Sequence, residues 1–77
     1  MTKKQLRTFG RELVNHVVVW EKGPNPDFPW TAEAFGHQCK IRLNDPPDEP
    51  AYTLFIDEEE VGDLESWPNL WTRPLPG

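Results

Sequence analysis

The chain has 77 residues, with 8 Lys and Arg against 13 Asp and Glu, and a formal net charge of −5. At this length it makes a single small domain, 1–77, that buries only roughly 60–65% of the surface its unfolded form exposes. Composition excludes a disulfide framework within the chain, because Cys39 is the only cysteine, and a membrane-spanning helix, because no apolar run approaches about 20 residues. The net charge opposes binding to nucleic acid and to anionic lipid.

Residues 3–15 read as a helix. Leu6, Phe9, Leu13 and Val17 line one apolar stripe, and Thr2 with Gln5 makes a capping-box pattern. Lys3, Lys4, Arg7 and Arg11 fall on the solvent side, and Gly10 weakens the helix by about 1 kcal/mol relative to alanine. Residues 16–22 are β-branched and aromatic and predict a strand. Val17, Val18 and Val19 in a row suggest burial on both faces, hence a central position. Gly23-Pro24-Asn25-Pro26-Asp27 ends it in an irregular loop, and Thr31 is placed to cap one helical turn through Phe35 that Gly36 stops.

Residues 38–44 predict a second strand, with Cys39, Ile41 and Leu43 on a dry face and Lys40, Arg42 and Asn44 on a wet one. The proline-rich 45–50 segment is a turn. Residues 51–57 give the clearest strand, and Glu58-Glu59 is the expected tip of a hairpin returning through Glu60, Val61 and Gly62. Leu64, Trp67, Leu70 and Trp71 have helical spacing, which predicts one short helical turn over 63–71. Residues 72–77 form an extended tail, whose Arg73-Pro74-Leu75-Pro76 run resembles the start of a polyproline ligand. The predicted fold class is α+β, with the N-terminal helix packed on a small antiparallel sheet of three to four strands.

Charge is polarised along the chain. Asp45, Asp48, Glu49, Asp57, Glu58, Glu59, Glu60, Asp63 and Glu65 lie between Leu43 and Trp71 with no basic residue among them. Four adjacent carboxylates, Asp57 to Glu60, do not make a calcium loop, because successive side chains of a strand point to opposite faces. His37 and Cys39 offer two transition-metal ligands, with His16 the one further nitrogen donor, short of the four a structural zinc site takes. Cys39 beside His16 or His37 is also the sole candidate nucleophile–base pair, and no glycine-rich phosphate loop occurs. The basic helix stripe neutralises too few phosphates for nucleic-acid binding. Four tryptophans in so short a chain either plug the core or leave one or two at the surface as interface anchors.

The resulting expectation is a small acidic protein-binding module that engages a basic partner protein. Its contact residues are Asp57, Glu58, Glu59, Glu60, Asp63, Glu65, Trp67 and Trp71. In size and charge, though not in motif, the chain is similar to toxin-neutralising immunity proteins and phage-encoded inhibitors, a likeness that assigns no site residues. Two further readings stand beside it. One is a structural homodimer in which the basic helix meets the acidic sheet. The other is a small metal protein or enzyme using His37 and Cys39. No cofactor and no catalytic residue is assigned. The lone cysteine, and an N-terminus whose apolar character is interrupted by Arg7, Arg11 and Glu12, place the chain in the cytoplasm.

Overall fold

The computed structural model describes residues 2–45 and 48–72. It is α+β, with one N-terminal helix and a five-stranded antiparallel sheet. Helix α1 spans Lys3–Leu13. The predicted capping box forms: Gln5 N–H donates to Thr2 Oγ1 at 3.2 Å, and Thr2 N–H donates to Gln5 Oε1 at 2.8 Å. Leu6, Gly10 and Leu13 face the sheet. Gly10 is there because the helix comes close: a Cβ at that position would lie 3.1 Å from Val61 Cγ2.

After a two-residue strand β1 (Val18–Val19), the sheet is a meander of β2 (Glu21–Asn25), β3 (Phe28–Ala34), β4 (His37–Leu43), β5 (Tyr52–Ile56) and β6 (Glu59–Leu64), adjacent in chain order. A seventh strand, β7 (Trp71–Thr72), pairs parallel to β1 as Val18↔Trp71 and Val19↔Thr72. The sheet thus exceeds the three to four strands expected, because β2 and β3 come from segments read as loop and helical turn.

The 16–22 segment is not a central strand. Val17 and Val19 are 69% and 66% exposed, and only Val18 and Trp20 turn inward. The valines belong to a surface strand with one dry side, and β2 beyond them is the edge of the sheet. That edge tolerates Pro24, whose missing N–H costs no interior ladder bond. The helical turn at 31–35 is replaced by β3, where Trp30, Ala32 and Ala34 pair with Ile41, Cys39 and His37. Cross-strand pairing outweighs alanine's low strand propensity. The β5–β6 turn falls on Asp57-Glu58, one residue earlier than expected, and both have positive φ (50° and 71°). No helical turn occurs over 63–71: β6 runs to Leu64, and after Pro68 the Trp71 N–H donates to the Pro68 carbonyl at 3.1 Å. The dry face of β4 ends at Ile41, since Leu43 is 51% exposed. Pro46 and Pro47, at the centre of the 45–50 turn, and the tail beyond Thr72 lie outside the described residues.

Two layers of core cover one face of the sheet. Leu6 and Leu13 of α1 lie over Leu54, Ile56 and Val61, and a register shift between Leu54 and Phe55 leaves Val61 as the extra residue of β6. The other end is aromatic: Trp20 sits 5.0 Å from Trp71, and Trp67 lies 5.1 Å from Trp30, 5.5 Å from Tyr52 and 5.6 Å from Trp71, ring centre to ring centre. The opposite sheet face stacks Phe28 on Phe55 at 5.2 Å, with Lys40 over the first ring and Arg42 over the second.

Candidate functional site

The β5–β6 hairpin holds five of the 13 acidic residues, Asp57, Glu58, Glu59, Glu60 and Asp63. Its turn is fixed by the first of them. Asp57 Oδ2 lies 2.6 Å from His37 Nδ1, and its Oδ1 accepts from the Gln38 N–H at 3.1 Å. These bonds, the histidine contact foremost, hold the carboxyl below its ordinary value of 3.8. They also hold Asp57 in a left-handed conformation that aspartate tolerates better than most residues.

The next carboxylates alternate between faces, as a strand requires. Glu58 pairs with Lys40 at 2.6 Å, and Glu60 approaches Arg42 at 3.7 Å, both over the Phe28–Phe55 layer. Each is a surface pair worth about 0.2–1 kcal/mol. The buried Thr53 hydroxyl donates to Asp63 Oδ1 at 2.9 Å and itself accepts from Asn44 Nδ2 at 2.7 Å, tying the end of β4 to β6. Among the described residues no cationic side chain pairs with Glu59, Asp63 or Glu65. The acidic run therefore divides. Asp57, Glu58 and Glu60 spend part of their charge on the molecule itself, while Glu59, Asp63 and Glu65 stay unneutralised along β6 and just beyond it. β6 is the last strand of the sheet, paired only with β5 among the described residues.

The tryptophans sit elsewhere. Trp71 is 3% exposed and donates its indole N–H to the Leu13 carbonyl at 2.9 Å, closing the C-terminus of α1. Trp67 is half-buried in the aromatic cluster and donates to the Trp71 carbonyl at 2.9 Å. Both were candidate partner contacts; Trp71 is an interior residue, and Trp67 offers only part of one face.

His37 and Cys39 share a face of β4, as strand periodicity predicts, but Cys39 is 1% exposed and its thiol donates to the His37 carbonyl. Burial, with the Asp57 carboxylate nearby, pushes that thiol up to about 11, far from the lowered values of nucleophilic or metal-binding cysteines. Among the described residues no three His, Cys, Asp or Glu side chains come together to hold a metal.

A second feature was not foreseen. Between α1 and the β3–β4 turn lies an open, mostly apolar groove of about 570 Å³, floored by Phe9 and Leu13 and walled by His16, Phe35 and His37. The Phe35 ring packs edge-on against Phe9 at 5.9 Å and His16 at 5.4 Å, yet the residue is 71% exposed. The available signal was the Trp30, Ala32, Ala34 alternation leading into Phe35-Gly36, a strand followed by a two-residue turn.

No helix among the described residues is long and apolar enough to cross a membrane. Comparison with known proteins gave no match among family models, curated proteins or solved structures.

Proposed function

We propose that the protein is a binding module whose β6 edge receives a basic, extended segment of a partner protein. The observation that carries this reading is the coincidence of two features on one strand. β6 is a terminal strand of the sheet, and Glu59 and Asp63 on it, with Glu65 just beyond, are three acidic side chains that no cation of the described chain neutralises, whereas the other terminal strand, β2, carries one, Glu21, beside Lys22. A terminal strand offers main-chain groups for an added strand. Carboxylates on it repel a second copy of the same edge and favour a cationic one. The contact set is led by Glu59, Asp63 and Glu65, with Asp57, Glu58 and Glu60 supplying the weaker, shared part of the field. Trp71 is not in it. The Cys39 burial described above supports an interior role rather than a metal or nucleophile role for that residue.

A lysine-rich extended peptide titrated into the intact protein tests this. Affinity should fall as salt rises, and a Glu59→Lys/Asp63→Lys/Glu65→Lys variant should lose about tenfold or more. Equal binding by that variant would remove the edge as the site.

A further inference from the structure

No β6 residue lines the groove beside α1, and its charges are arranged for a different occupant. We infer that it receives α1 of a second copy of this chain, antiparallel, about a two-fold axis passing near Thr8. Lys4 and Glu12 are both exposed residues on the groove side of the helix, eight residues apart. That spacing is about 12 Å along the axis at 1.5 Å per residue. In an antiparallel pair centred on Thr8, Lys4 of each copy meets Glu12 of the other, so the face complements itself. Neither residue has an ion partner among the described residues.

Thr8 suits the crossing point. It is small, and its hydroxyl already donates to the Lys4 carbonyl at 3.1 Å, so covering it strands no donor. Apolar surface waits on the groove wall, where Phe35 is 71% exposed. Phe35 is also held at φ 52°, a conformation unfavourable for a bulky side chain, which keeps its ring against the groove wall. A chain of net charge −5 repels its own copies over most of its surface. Among the residues that line the groove, Lys4 and Glu12 offset each other, so the lining itself carries no net charge against its own copy. This pairing differs from a helix-on-sheet dimer, whose acidic partners Glu58 and Glu60 are already engaged by Lys40 and Arg42.

Sedimentation equilibrium of the intact protein across the micromolar range should show a monomer–dimer equilibrium. Glu12→Lys and Lys4→Glu should each weaken it roughly tenfold, since each change acts twice across a two-fold interface. Lys4→Glu with Glu12→Lys in one chain should restore it. Phe35→Asn should weaken the dimer while leaving the melting temperature of the dilute monomer unchanged or higher, because asparagine accepts the left-handed backbone. A protein that stays monomeric at every concentration overturns the inference, and so does a dimer indifferent to the single charge changes or not rescued by the double one. The Glu59/Asp63/Glu65 variant should dimerise normally, which keeps this test independent of the edge-binding one.

Discussion

Asp57 is the residue on which the acidic hairpin turns, and its chemistry has a pH signature. A carboxyl held below its ordinary 3.8 by hydrogen bonds to His37 and Gln38 contributes stability that is complete above pH 3.8. That contribution disappears as pH falls through the lower folded value. Asp57→Asn keeps a side chain that accepts positive φ but removes the ionisation. Denaturant midpoints measured from neutral pH down to about pH 3 should fall less steeply for the variant than for the parent below about pH 4. Parallel curves would show that the contact carries no linkage. The sequence displayed Asp57 as part of an acidic tip. It could not display the partner, which sits 20 positions away and is brought near by the register of two strands. The same holds for Glu58 and Glu60: the carboxylates are legible, while their neutralisation by Lys40 and Arg42 is a property of pairing.

Among the elements, α1 and the middle strands were legible because each carries its own punctuation. α1 has a capping box and a 3.6-residue stripe; β4 and β5 alternate cleanly. β2 and β3 do not advertise themselves, since Pro24, Pro26 and Pro29 break the strand pattern and Ala32 and Ala34 fit a helix as well. What makes β2 a strand is an irregular pairing with β3 between Lys22 and Asn25. Gly23 sits inside that irregularity, and a Cβ there would lie 2.6 Å from the Phe28 carbonyl oxygen and 3.0 Å from Thr31 Cγ2. The obstruction is backbone, which cannot swing aside. Gly23→Ala should therefore destabilise by about 1–3 kcal/mol, read from chemical unfolding. An unchanged midpoint would mean that the edge strand moves freely.

At the level of the whole molecule, the aromatic end joins the two halves of the chain. Trp71 fills the cluster and also satisfies the last carbonyl of α1, whereas Trp20 is 2% exposed and its indole N–H finds no acceptor among the described residues. Phenylalanine at either position loses similar ring volume, but at 71 it removes one of the two hydrogen bonds that the Leu13 oxygen accepts, leaving the one from the His16 N–H at 3.1 Å, and at 20 it removes an unmet donor. Trp71→Phe should thus cost about 0.5–1.5 kcal/mol more than Trp20→Phe; equal losses would assign both rings to packing alone. Four tryptophans in the sequence fit an aromatic core or surface anchors equally, and the fold puts Trp20 and Trp71 in the core. Nothing local announced that β1 and β7 would lie side by side, because a two-residue parallel pair has no periodicity to read. That pairing has a consequence for how the protein is made. With Val18 bound to Trp71, the hydrophobic interior cannot close until nearly the whole described length has cleared the ribosomal exit tunnel. The meander forms locally and early, but the nascent chain carries Trp20 and Trp30 unsheltered until Trp71 arrives, a window in which chaperones and proteases compete for it.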